Sequence, residues 1–373
     1  MPEANAGPRL GDITSPRMKI ALVCPYNLER PGGVRSHIAG LGTELVRLGH
    51  EIEVVAPGTV RRLDSLPVIP CGRARRLPFS GTQIDLTWAS WSEVRAVCAR
   101  GYDVMHFHTI WNPLVPFQLA ARFRGRKVAT FHDVPGPETP AFAAGLMWPA
   151  SELIRRLALD RVIAVSPSVA SYLSDGTYDT IPNGLAIPDA FPAEGAREAV
   201  LYLGRLEPRK GIHTLLEAAA LLGPSGPPIW IAGDGYLRAD LERFAQSRGL
   251  SNVQFFGEVT EAEKWRLLRG AGLFVAPSLG GESFGIVLLE AMAAGAPPIA
   301  ADNPGYADLL RAQPSLLYSV GSAEHLASKI RTLLGDAEQR SRLREWGERY
   351  ARLFDWRAIA PRIEAVYRGV DPS

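Results

Sequence analysis

Three stretches of this sequence combine glycine with charge in a way that suits a phosphorylated ligand. The first is Pro31-Gly32-Gly33-Val34. Glycines there let a ligand reach the backbone, and a helix starting at this point offers free N–H groups and a positive dipole end. A diphosphate fits such a site, and so does a tight turn that binds nothing. The second stretch is Gly204-Arg205-Leu206-Glu207-Pro208-Arg209-Lys210-Gly211. Arg205 and Lys210 are cations able to neutralise a leaving diphosphate; the plain alternative is a solvated basic turn. The third runs Gly280-Gly281-Glu282-Ser283-Phe284-Gly285-Ile286-Val287-Leu288-Leu289-Glu290, and a helix start near Phe284 to Ile286 is a further anion site. A carboxylate accepts from two sugar hydroxyls at once, which suits Glu282 and Glu290 to sugar and ribose. Glu282 also reads as an ordinary partner of a helix N-terminus, and Glu290 as an ordinary helix glutamate. Flanked by Leu289 and Ala291, Glu290 is expected to be buried and to need a partner.

Histidine supplies the fourth signal. His106, His108 and His132 are placed at strand ends, with His106 and His108 sharing one strand face. No CxxC or HExxH pattern accompanies them, so structural histidines are the simpler reading and no metal ligand is assigned. His132, in Thr130-Phe131-His132-Asp133, gains weight from its place at the cleft edge. No Asp-x-Asp pair occurs in the chain. The diphosphate charge is therefore assigned to Arg205, Lys210 and helix N-termini, with no metal or other cofactor.

These residues need a scaffold, and the hydrophobic pattern describes one. Lys19 to Cys24 reads as a buried strand. Val34, Ile38, Leu41, Leu45 and Leu48 follow as a helical stripe ended by Gly49. Further strands are expected at Ile52 to Ala56, Asp103 to His108, Lys127 to Phe131 and Arg161 to Val165. The Pro- and Gly-rich run Ile181 to Glu194 marks a boundary, after which strand and helix alternate again. The division is a tail over 1–17, a first Rossmann-like domain over 18–183, a linker over 184–196, a second domain over 197–354, and a C-terminal helix over 355–373 crossing back. Such α/β domains bind ligands at the C-terminal edges of their strands, so the pair leaves one shared cleft for two substrates. Ile84 to Arg100 reads as a helix that packs Trp88 and Trp91 in the core or rests on a membrane, the first being preferred.

Composition narrows the class. A chain of 373 residues suits two domains, and a net charge of +2 gives no field favouring nucleic acid. Three scattered cysteines, Cys24, Cys71 and Cys98, suit free thiols in a reducing compartment. Met1 to Arg17 lacks the apolar stretch of a signal peptide. The expected location is the cytoplasm, with peripheral attachment to the inner face of the plasma membrane left open.

Taken in order, CPYNLERPGGVRSH, IPNG, YLGRLEPRKG, IAGDG and APSLGGESFGIVLLEAMAAGAPPIAA resemble the group 1 retaining glycosyltransferases of GT-B fold. The resemblance spans about residues 18 to 365, and actinobacterial phosphatidylinositol mannosyltransferases look nearest within that family. It implies transfer of mannose or glucose from a nucleotide diphosphate sugar, GDP-mannose or UDP-glucose, to a hydroxyl acceptor such as a lipid or glycan. On the donor side it implies Gly32, Gly33, Gly204, Arg205, Lys210, Gly233, Glu282, Ser283, Phe284, Gly285, Ile286 and Glu290. His132, Glu282, Arg205 and Lys210 would serve the reaction itself. Tyr26, Asn27, His108, Trp111 and Asp133 would face the acceptor. The sequence departs from the mannosyltransferases after His108 and after His132, where acceptor contacts are expected. A nucleotide-sugar epimerase of the same fold and an inactive nucleotide binder are the rival functions; product analysis with and without acceptor separates the first, and nucleotide binding without turnover would mark the second.

Overall fold

The computed structural model describes residues 16–29, 32–79, 82–108, 114–132, 158–171, 173, 178–193 and 197–372. Trp111 and Asp133 lie outside the described residues, as do Pro31 and most of the N-terminal tail. Lys19–Val23 forms β1, an apolar run of an inner parallel strand. It is followed by β2 (Glu51–Ala56), β3 (Arg62–Leu63), β4 (Leu66–Pro70), the hairpin of β5 (Arg73–Phe79) and β6 (Thr82–Trp88), β7 (Val104–His108), β8 (Arg126–Phe131), β9 (Arg161–Ala164) and β10 (Asp179–Thr180). All but the hairpin join one sheet in the order β10-β9-β8-β7-β1-β2-β4-β3. Only the β3–β4 pairing in it is antiparallel.

The second domain repeats the architecture. Its strands are β11 (Ala199–Leu203), β12 (Ile229–Ala232), β13 (Val253–Gly257), β14 (Ala271–Ala276), β15 (Pro298–Ala301) and β16 (Leu317–Tyr318). They are parallel, in the order β13-β12-β11-β14-β15-β16. The order reverses between β1 and β7 in the first sheet and between β11 and β14 in the second. Open α/β sheets bind ligands outside the strand ends at such a switch point. Those four strands lead directly to the Gly32 turn, to His108, to the Gly204–Lys210 loop and to the Ser278–Glu282 loop.

Ile38, Leu41 and Leu45 bury the inner stripe of the Gly33–Arg47 helix, while Leu48 falls at its C-cap and is largely exposed. The C-terminal Trp356–Arg368 helix returns to the first domain, where Trp356, Ile359, Ile363, Val366 and Tyr367 join the core of Ile20, Ile38 and Leu41. Two backbone hydrogen bonds zip the crossing: Leu185 N donates to Phe354 O at 2.7 Å, and Trp356 N to Leu185 O at 3.1 Å.

Two expectations need correction. The stretch Ile84 to Arg100 is not one helix. Its first part pairs across the hairpin with Arg73–Phe79, and Ser90 with Glu93 forms a capping box that starts a new helix at Trp91. Val94 and Val97 are buried, but Trp88 and Trp91 are 42% and 53% exposed. The preferred placing of both tryptophans in the core is therefore wrong. His106 is also not at a strand end; it lies inside β7, fully buried.

Candidate active site

Gly32 caps the Gly33–Arg47 helix in an extended conformation. A Cβ at Gly32 or Gly33 would meet nothing within 4 Å, so the space beside both is open to a ligand. Across the cleft, Lys210 Nζ donates to Glu282 Oε1 at 2.5 Å, and Ser278 Oγ donates to the same oxygen at 3.0 Å. Tyr306 OH lies 3.1 Å from Ser278 Oγ and completes the chain of polar contacts. Burial holds Lys210 below the usual lysine range, with Glu282 opposing that shift. The result is a largely desolvated cation joined to a carboxylate at the second domain's switch point.

Arg205 does not join this pair. Its guanidinium is 59% exposed and bonds Glu207 at 2.8 Å. Arg209, which the sequence reading passed over, stands nearer, with Nη1 3.5 Å from Glu282 Oε1. A 3-10 turn over Pro208–Lys210 presents Arg209 and Lys210 together.

Glu290 is buried on the Ile286–Ala293 helix, and burial raises its carboxyl above the usual range. Its partner is Lys264, whose Nζ donates to Oε1 at 2.7 Å from the Glu261–Gly270 helix. Nothing in the local sequence of Lys264 marks it, because the contact spans 26 residues. Gly285 caps the Glu290 helix in the left-handed region, at φ 94°. Phe284 turns its ring inward onto Phe354, 5.9 Å between centroids, so only its backbone is left to a donor. Gly204 and Gly233 serve the strand edge. A Cβ on Gly233 would come within 1.9 Å of the Gly204 carbonyl oxygen, so the two turns pass in close contact.

On the first domain, His132 follows β8 and is buried with His37, His106 and His108. His132 Nδ1 donates to Asn183 Oδ1 at 3.1 Å, and His132 Nε2 lies 3.2 Å from His108 Nδ1. His106 is bonded to Tyr367 OH at 2.6 Å and Thr130 Oγ1 at 2.7 Å, a structural histidine. His37 packs edge-on to His132, 4.4 Å between centroids, and to Trp356 at 4.8 Å. Burial first, and the neighbouring imidazoles second, push His106 to about 3 and His37 and His108 well below the usual range. Burial takes His132 to about 4. At neutral pH these rings are uncharged, so His132 meets a substrate as a neutral hydrogen-bonding group. His37 and Asn183 were not singled out from sequence. His37 stands four residues after Gly33, one helical turn, and that spacing was the available signal. On the acceptor side, Asn27 is taken up in its own turn: its N–H donates to Asp85 and its Oδ1 accepts from Glu29 N. Tyr26 is half-buried beside it, its carbonyl facing Cys24 Sγ.

The two edges meet. Strand β9 runs beside β8, and Ser166 just beyond it donates through Oγ to Ser283 O at 2.7 Å. Two residues on, Ser168 N and Oγ both donate to Asp308 Oδ2, at 2.8 and 2.5 Å. The edge bearing His132 thus faces the loop bearing Glu282.

Two Rossmann-like domains closed face to face, with cations on one rim and histidine on the other, make a GT-B sugar-transfer enzyme. The chain belongs to the group 1 glycosyltransferases. Residues 186–350 match the model of glycosyl transferases group 1, and residues 31–187 that of glycosyltransferase family 4. It is 32% identical to the phosphatidyl-myo-inositol mannosyltransferase of Mycolicibacterium smegmatis over 95% of this chain and 94% of that one. It is 25% identical to D-inositol 3-phosphate glycosyltransferase of Corynebacterium glutamicum over 94% and 96%. Among solved structures, sucrose-phosphate synthase of Thermosynechococcus elongatus superposes with a TM-score of 0.77 at 24% identity, covering 95% of this chain and 99% of that one. Anabaena HepE in complex with UDP and glucose gives 0.77 at 20% identity, covering 95% and 100%.

Proposed function

We propose that this glycosyltransferase moves a hexose with retention of configuration from a nucleoside diphosphate sugar to a hydroxyl of a lipid acceptor, with no metal on the diphosphate. The observation that carries the reading is the Lys210–Glu282 pair at the second switch point, together with the open space beside Gly32 and Gly33 at the first. The bond from the anomeric carbon to the diphosphate oxygen breaks, and charge grows on that oxygen. Lys210, Arg209, Arg205 and the start of the Ile286–Ala293 helix are assigned to offset it. The acceptor oxygen bonds to the same face of the sugar, and its proton passes to the departing phosphate. Glu282, held by Lys210, and neutral His132 are assigned to sugar hydroxyls, and Glu290 to the ribose. GDP-mannose is the favoured donor and UDP-glucose the second. The names of the mannosyltransferase relatives support mannose and phosphatidylinositol.

A lipid acceptor calls for a membrane-facing surface. Trp88 and Trp91 stand exposed on the first domain beside exposed Leu114, which bridges to Thr87. Arg73 lies directly across the hairpin from Trp88 and is exposed, as is Arg75. Indole and guanidinium side by side suit an anionic interface. Among the described residues no helix is long and apolar enough to cross a membrane. The expected location is the inner face of the plasma membrane.

Thermal shift against nucleoside diphosphates and nucleotide sugars tests the donor site, since a ligand of the folded state raises the melting temperature. Lys210→Ala is expected to weaken GDP or UDP at least tenfold and the free nucleoside little. Equal losses for both, or turnover abolished by EDTA and restored by magnesium, would contradict the assignment. Co-sedimentation tests the membrane face: Trp88→Ser/Trp91→Ser is expected to lose binding to phosphatidylinositol vesicles while keeping donor binding. Wild-type protein that ignores anionic vesicles would remove the lipid acceptor from first place.

A further inference from the structure

We propose that His37, His108 and His132 form a binding site for one divalent transition cation of the Zn²⁺ type. The three imidazoles come from separate elements: the Gly33–Arg47 helix, the end of β7 and the residue after β8. One ring nitrogen of each lies within 4.8 Å of the other two. His108 Nδ1 and His132 Nε2 stand 3.2 Å apart. Two nitrogens on a tetrahedral Zn²⁺, each bonded at about 2.0–2.1 Å, are roughly 3.3 Å apart. A small inward movement of His37 would therefore complete three corners.

Hydrogen bonding points the same way. Among the described residues no hydrogen bond of good geometry reaches either ring nitrogen of His37, beside which Asn183 stands, or Nε2 of His108, and both rings are buried. Buried polar atoms without partners are rare and call for an explanation. A cation that takes the lone pairs supplies one. His132 donates its Nδ1 proton to Asn183 Oδ1, which leaves the Nε2 lone pair directed at His108. An outer carbonyl orienting a ligand imidazole in this way is the usual second shell of a histidine–metal site. His108 offers Nδ1 once its proton moves to Nε2; the hydrogen bond to His132 Nε2 is given up in that exchange and two metal–nitrogen bonds take its place.

Donor chemistry selects the ion. An all-imidazole set suits zinc, cobalt, nickel and copper, whereas magnesium and calcium take oxygen ligands. Three protein ligands leave a fourth position for water or an anion. All three rings are buried, His132 least so at 6% exposed. This site is distinct from the diphosphate pair at Lys210 and Glu282, and its occupation is no requirement for transfer.

Titration of the chelator-treated full chain with Co²⁺ tests the site, read by the visible absorption of four-coordinate cobalt. One Co²⁺ per chain is expected, displaced by Zn²⁺ and untouched by Mg²⁺. The band should vanish in His37→Gln and in His108→Gln, weaken 10- to 100-fold in affinity in Asn183→Ala, and persist in His213→Gln, whose histidine lies in the second domain. No band in the wild-type protein, which needs no variant to fold, overturns the proposal. So does a band of unchanged affinity in both His37→Gln and His108→Gln. Mannose transfer from GDP-mannose to phosphatidylinositol vesicles, followed in the same titration, bears on a separate point. A bound cation takes the ring nitrogen of His132, so a rate unchanged at saturating Zn²⁺ counts against the role given to His132, not against the site.

Discussion

At the scale of single residues, charge in this protein is placed by long-range pairing. Lys264 and Glu290 are both nearly closed to solvent, with side chains 13% and 12% exposed. A buried pair contributes little beyond what well-packed apolar groups would, but removing one partner strands the other. Lys264→Met is therefore expected to destabilise the protein by about 3 kcal/mol, and Lys264→Met/Glu290→Leu to recover most of that. Urea unfolding measures both. A double variant as unstable as the sum of its singles would mean that packing, not charge, governs the site. The identities of Lys210, Glu282, Glu290 and His132 could be read from their motifs. Their partners Lys264 and Asn183 could not, because hydrogen bonds between distant residues leave no periodicity in the chain; Ser278 stands only four residues before Glu282.

At the scale of elements, the Gly33–Arg47 helix shows how a local preference yields to packing. Gly40 lies inside it, where alanine would be favoured by about 1 kcal/mol. A Cβ there would sit 2.0 Å from Trp356 Nε1, on the helix that returns from the far end of the chain. Overpacking of this kind costs about 1–3 kcal/mol. Gly40→Ala should thus be destabilising by about 1–2 kcal/mol net, and Trp356→Leu should relieve it. Thermal melts of the two singles and the double decide this; a stabilised Gly40→Ala would show that the indole moves aside freely. The same scale explains the misread hairpin. Thr82–Trp88 pairs with the preceding strand, and the Ser80-Gly81 dipeptide between the two is a turn signal that the reading as one helix passed over.

At the scale of the whole molecule, hydrogen bonds between the two domains tie the rims of the cleft together. Ser168 donates twice to Asp308, and Ser166 donates to Ser283 O. Hydrogen bonds to a charged group contribute about 1.5–3 kcal/mol. Asp308→Ala is expected to shift the population towards open forms by roughly tenfold or more. Small-angle scattering should show a larger radius of gyration without ligand, and the donor KM should rise. An unchanged radius would mean that the crossing at Leu185, Phe354 and Trp356 alone sets the domain angle.

Much about this protein was settled along the chain itself. The alternation of apolar runs with amphipathic stripes dictates two parallel-sheet domains, since each buried strand must be covered by the helix that follows. Glycine and charge cluster where those strands end, because a ligand must meet backbone there. What the tertiary structure alone decided is which charges meet. Arg209, not Arg205, stands with Lys210 at Glu282; Lys264 reaches Glu290; His37 joins His108 and His132. It also decided that Trp88 and Trp91 face solvent. Period and spacing report the environment of a residue relative to its own element, whereas pairing across elements depends on how three-dimensional edges come together.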